Sequence, residues 1–201
     1  MMTISGTDDR AERRKAHLRE TDPQFRDTMP DPAVQAAMAE SGLSLARLAE
    51  RVMLGYADRP ATGERRTEPV TDPASGRRSL RLLPEFETHS YGELWERATA
   101  LAAQWAARGL GAGDAIATIG FTSTDYVTLD LAAVQLGLVS VPLQPGASTA
   151  QLRAIVEETE VRLLAASPAF VGKAVEVSQR PRHAGLMGNR HQVQHGVGRA
   201  A

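Results

Sequence analysis

The sequence predicts an α/β fold, part of a doubly wound parallel sheet with helices on both faces, preceded by a helical arm. Three observations predict it. Residues 90–166 alternate helical and strand patterns in the order α-β-α-β-α-β. Two of those helices open on capping boxes, Ser90-Tyr91-Gly92-Glu93 and Ser148-Thr149-Ala150-Gln151, each a hydroxyl followed three residues later by Glu or Gln. The segments between helices are short apolar runs, as strands covered on both faces require. Strands separated by helices of this length pair in parallel through right-handed crossovers.

The elements follow in chain order. Residues 8–20 form a charged helix pattern that ends at Asp22-Pro23, with Pro30 and Pro32 beyond. Residues 1–31 are therefore read as a peripheral arm. Two short helical patterns occupy 33–54. In the second, Leu43, Leu45, Leu48 and Val52 fall near one face, Gly55 is placed to end it, and Pro60 bars continuation. Residues 61–78 are turn-rich and charged, and Val70-Thr71 with Ser79–Leu83 could pair as a small hairpin. The helix opened by Ser90 runs to about Arg108, with Leu94, Ala98, Leu101, Ala102 and Trp105 on one face and Gly109 as its stop. Strand Ala115–Gly120, helix Thr124–Leu136, strand Leu138–Leu143, a helix to about Glu158 and strand Val161–Ala165 complete the pattern.

Composition narrows the function classes. The chain has 201 residues, a formal net charge of −1 and no cysteine. Nothing global favours nucleic acid, and disulfides, thiolate metal sites and a cysteine nucleophile are excluded. The amino terminus lacks the apolar core of a signal peptide, and no apolar run approaches the ~18–20 residues of a membrane helix. A cytoplasmic protein is expected. From Pro168 onward the composition changes: five basic residues face one acid, Glu176, and three of the five histidines lie there. Residues 168–201 are expected to be a divergent tail, disordered or read from a shifted frame.

Each candidate for chemistry has a structural reading beside it. Gly109-Leu110-Gly111-Ala112-Gly113-Asp114 looks like a phosphate loop, but the order helix, loop, strand is the reverse of the dinucleotide fingerprint. A helix stop and turn account for it. Phe121-Thr122-Ser123-Thr124-Asp125-Tyr126 lies between strand and helix, at the sheet edge where ligands bind; N-capping by Ser123 or Thr124 accounts for its hydroxyls. Val141-Pro142-Leu143-Gln144-Pro145-Gly146 is a second edge loop, stiffened by its prolines. Glu157, Glu158 and Glu160 read as a solvated helix end. His191 and His195 are four apart, as on a zinc helix, but the spacer is Gln-Val-Gln and Gly188, Gly196 and Gly198 crowd the segment. No catalytic, cofactor-binding or metal-binding residue is therefore assigned.

Tyr56-Ala57-Asp58-Arg59-Pro60-Ala61, Ser90-Tyr91-Gly92-Glu93-Leu94-Trp95-Glu96-Arg97-Ala98 and Gly109–Asp114, in that order, resemble the opening of adenylate-forming enzymes. Residues 70–98, 120–132, 139–144, 151–160 and the segment Thr21–Phe25 resemble the carboxylic acid reductase, or fatty-acid–CoA ligase, branch. The resemblance covers about residues 10–167 and stops after Ser167. It implies that 32–167 form the N-terminal portion of an AMP-binding domain. It also implies that the full-length family activates a carboxylic acid with ATP and Mg²⁺, passes the acyl group to phosphopantetheine and reduces it with NADPH. The family's phosphate loop and later motifs are not found here, so the chain alone is expected to be an inactive fragment that binds none of these cofactors. The alternatives are a non-catalytic module that binds a full-length enzyme or self-associates through its unfinished sheet edge, and a small metal- or nucleic-acid-binding protein acting through the tail.

Overall fold

A computed structural model describes residues 6–179, with side chains from Asp9 onward. The chain divides after Leu43 into two compact units.

The first unit holds helices α1 (Gly6–Thr21), α2 (Pro23–Thr28) and α3 (Pro32–Met38). The face of α1 is charged, with Arg13 paired to Asp9 and Lys15 to Glu12 one turn away. The Asp-Pro dipeptides are starts as well as breaks. Asp22 accepts from the Phe25 N–H at 3.1 Å and Asp31 from the Ala33 N–H at 2.7 Å, while Pro23 and Pro32 occupy the first turn, where no N–H is needed.

The second unit begins with α4 (Leu45–Gly55), capped by Ser44. Leu45 is 67% exposed, contrary to the expected face; Met53 is the buried residue of this helix. At the first position after the cap, Leu45 precedes the turn that packs. A long hairpin follows, β1 (Pro60–Thr71) against β2 (Arg78–Ser90). The expected pairing of Val70-Thr71 with Ser79 onward is its outer end, with Val70 opposite Ser79 and Thr71 opposite Arg78. The turn is tied by Asp72, which accepts from the Ala74 N–H at 2.9 Å and the Ser75 hydroxyl at 2.6 Å, and Gly76 takes a φ of +67°.

Helix α5 (Tyr91–Ala107) starts on the Ser90 capping box, and both of its hydrogen bonds form. Gly92 packs on the turn after α4: its N–H donates to the Ala57 carbonyl at 3.0 Å, and a Cβ there would lie 3.2 Å from that oxygen. The Tyr56–Pro60 and Ser90–Glu93 segments thus interlock, joined also by Tyr91 N–H to Arg59 C=O and by the Tyr56–Tyr91 ring contact.

Then come β3 (Ala115–Ile119), α6 (Thr124–Leu136), β4 (Val139–Leu143), α7 (Thr149–Glu158), β5 (Leu163–Ala166), a 3₁₀ turn (Pro168–Phe170) and α8 (Val171–Ser178). The three strands are parallel in the order β4-β3-β5. All five residues of β3 are buried, and they alternate between two cores. Ile116 joins Ala98, Ala102 and Trp105 of α5 with Ala132 and Ala133 of α6. Ala117 and Ile119 join Leu143, Leu152 of α7, and Ala174 and Val177 of α8. The result is the expected α/β arrangement with helices on both faces, a partial doubly wound sheet.

Two expectations are corrected. β4 is not covered on both faces: Val139 is 51% exposed, and Leu143 is its buried residue. The helices centre on β3, and among the described residues β4 is an edge. The Val139 N–H donates inward to the Asp114 carbonyl, so the ladder's alternation turns the backbone of Ser140 and Pro142 outward, and proline has no N–H to offer there. The second correction concerns the start of the tail. Residues 168–178 are packed, with Val177 2% exposed against Leu152. Their basic composition concealed an apolar stripe of Ala174 and Val177. Lys173 is not a stray charge either; its ammonium donates to the carbonyls of Pro145 (2.5 Å) and Ala147 (2.6 Å). Residues 180–201, with His183, His191 and His195, lie outside the described residues.

Candidate functional site

The topology singles out one place. The loop after β3 leads to α6, on the Trp105 side of the sheet, whereas the loops after β4 and β5 lead to α7 and α8 on the Leu152 side. The carboxyl end of β3 is therefore a topological switch point, where open α/β sheets take ligands.

Three loops meet there. Gly120–Ser123 leaves β3, and Ser123 caps α6, accepting from the Tyr126 N–H at 3.2 Å. The capping explanation of that hydroxyl holds. Ser167 leaves β5, donates its N–H to the Ile119 carbonyl at 3.0 Å and sits beside Gly120. Gln144–Ala147 leaves β4 and is fixed from below by Lys173. Across the β3–β5 gap the rings of Phe121 and Phe170 meet edge to face at 5.4 Å, although Phe121 is 72% exposed.

The hairpin supplies a fourth contributor that the sequence did not flag. The Thr124 N–H, at the first turn of α6, donates to Glu64 Oε1 at 2.5 Å, and the hydroxyls of Thr62 and Thr124 lie 3.1 Å apart. Thr124 is buried. Hydrogen bonds from the Thr124 N–H and hydroxyl to Glu64 hold its carboxyl below its ordinary range, with smaller help from His89 and Arg97. Arg97 of α5 pairs with Asp125 at 2.8 Å, one residue further along α6. The position where a phosphate would meet this helix is thus occupied by a carboxylate from β1. The described residues do not fit the phosphates of a nucleotide at this edge.

Asp130 lies further along α6, beside β4. Burial raises its carboxyl above the ordinary value, opposed by the Ser140 hydroxyl 3.5 Å away; burial and Asp130 together raise the Tyr126 phenol. An acid whose folded pKa is raised contributes stability below its unfolded pKa and loses it as pH rises through the folded value. Asp130→Asn is therefore expected to raise the unfolding free energy measured in urea at neutral pH, by at most about 0.5 kcal/mol because the carboxylate is partly solvated. The advantage should vanish once pH falls below the ordinary value of 3.8. A lower unfolding free energy for the variant at neutral pH would contradict this origin of the shift.

At the opposite edge, Gly109 and Gly113 have positive φ and serve the helix stop and turn. Asp114 accepts from the Gly111 N–H at 2.8 Å and from Arg162 at 2.6 Å, and Arg162 also donates to the Gly109 carbonyl at 3.0 Å. This loop is bound by its own chain, on the amino side of the strands. Glu157, Glu158 and Glu160 are exposed. Among the described residues no three His, Cys, Asp or Glu could hold a metal ion, and no helix is long and apolar enough to cross a membrane.

The family model of AMP-binding enzymes matches residues 68–198. That range passes Ser167, where the sequence resemblance was expected to stop. A carboxylic acid reductase of Mycobacterium tuberculosis is 47% identical over 178 residues, 87% of this chain and 15% of that protein. The adenylation domain of a carboxylate reductase from Mycobacterium chelonae superposes with a TM-score of 0.75 at 46% identity, covering 88% of this chain and 27% of that one. The corresponding domain from Segniliparus rugosus, solved with AMP and a co-purified carboxylic acid, gives 0.74 at 47% identity over 83% of this chain and 27% of that one.

Proposed function

Because the chain belongs to the AMP-binding enzyme family, we propose that it is the opening portion of an adenylation domain of the carboxylic acid reductase type, inactive by itself. The observation that carries this reading is the agreement of sequence and fold with the Mycobacterium chelonae adenylation domain, of which the chain spans 27%. In this reading the whole protein would activate a carboxylic acid with ATP and Mg²⁺, and would use phosphopantetheine and NADPH in later steps. It would work in the cytoplasm, where ATP is supplied. The described residues supply the sheet, its two helical layers and the hairpin. No catalytic, cofactor-binding or metal-binding role is assigned to any of them.

ATP–pyrophosphate exchange with fatty and aromatic acids tests the inactive half of the proposal. No acid-dependent exchange is expected from the chain alone, and clear exchange would overturn it. Placing residues 44–178 in the corresponding stretch of the Mycobacterium chelonae domain tests the assignment itself. The chimera is expected to keep acid-dependent exchange; a folded chimera without it would overturn the assignment.

A second reading is an interaction module that pairs through β4 with another copy or with a full-length relative. The exposed Val139 favours it. Pro142 weighs against it, because it removes a donor from the open edge.

A further inference from the structure

We propose that Glu64 is a latch: ionised, its carboxylate holds the β1–β2 hairpin on the loop that opens α6, and protonation releases it. The inference is independent of the adenylation reading.

The geometry has three parts. First, Glu64 Oε1 accepts from the Thr124 N–H at 2.5 Å, across sixty residues of sequence. The first turn of a helix presents N–H groups without intrahelical partners and a partial positive charge, so an ionised carboxylate is the group it favours most. Second, the contact is doubled by the Thr62 and Thr124 hydroxyls 3.1 Å apart, on the neighbouring hairpin position of the same strand. Third, Thr124 is buried at 4% exposure, so its N–H has little water to turn to when the carboxylate leaves.

The surrounding charges set the sign. On β2, His89 adds to the pull on the ionised form, while Glu87, the register partner of Glu64, is a like charge. On α5, Arg97 favours the ionised form; on α6, Asp125 is paired to that same Arg97. On β1 itself, Arg66 is taken by Glu85 and Arg65 lies over the Phe86 ring. A depressed carboxyl contributes stability that is present above its unfolded pKa and lost as pH falls through the folded value. The latch is therefore closed at neutral pH and opens below the ordinary carboxylate value of 4.5.

The test is amide hydrogen exchange on the full chain, corrected for intrinsic rates, from about pH 7 to about pH 3. In the wild-type protein, protection of Thr124 and of the inner hairpin amides is expected to fall about tenfold or more relative to α5 over that range, the scale of one charge-assisted hydrogen bond. Glu64→Gln should lose that protection already at neutral pH and show no further dependence. Glu64→Asp keeps the charge but shortens the reach, and should also lose it. Thr62→Val keeps the carboxylate and should retain the pH dependence. Wild-type protection of Thr124 at neutral pH in both Glu64 variants would overturn the proposal. So would hairpin opening at low pH that persists unchanged in Glu64→Gln.

Discussion

Leu152→Ala is expected to destabilise the protein by about 2–5 kcal/mol. Leu152 of α7 is 0% exposed and packs with Ala117 and Ile119 of β3 and Val177 of α8. Several of its neighbours are alanines, with no side chain able to swing into the space left behind. The cavity should therefore persist and the loss lie towards the upper half of that range. Urea unfolding of the variant gives the number. A loss below about 1 kcal/mol would mean that α8 does not pack on α7 as described.

Trp105→Ala is expected to cost about 3–5 kcal/mol. The indole is 3% exposed and fills the other layer, among Ala98, Ala102, Ala132 and Ala133, with Ile116 beneath it. The alanines let α5 and α6 approach closely, and Trp105 is the largest buried side chain of that cluster. Thermal unfolding should show the drop, together with loss of the buried tryptophan's fluorescence signal. A variant that unfolds near the wild-type temperature would contradict the packing of α5 on α6.

Much of this layout can be read from the sequence because it is local. Capping boxes at Ser90 and Ser148, the stop at Gly109 and the apolar face from Leu94 to Trp105 depend on neighbours within one or two turns. The long hairpin is harder to read, since both of its faces are largely exposed. Its Arg and Glu residues, paired across strands as Arg81 with Glu68, leave no period-two signal. β4 misleads for a different reason. Its apolar run suits either a covered strand or an edge, and Pro142 was the residue that distinguished them. The role of Glu64 was out of reach, because its partner is sixty positions away and nothing near it in the chain marks a helix terminus. In the stretch after Ser167 charge is a poor guide: Lys173 and Glu176 look like solvent residues, yet the lysine binds two loop carbonyls and Glu176 accepts from Thr149 at 3.2 Å.

Pro142 has a further consequence, in colloidal behaviour. Growth of a cross-β stack needs every strand to offer donors and acceptors at alternate positions on both of its sides. The outward side of β4 offers the Ser140 N–H and then, at the next outward position, a ring. A strand can dock there once, but the ladder it would pass on is broken. The β4 edge of the described sheet is in this way kept from acting as a seed.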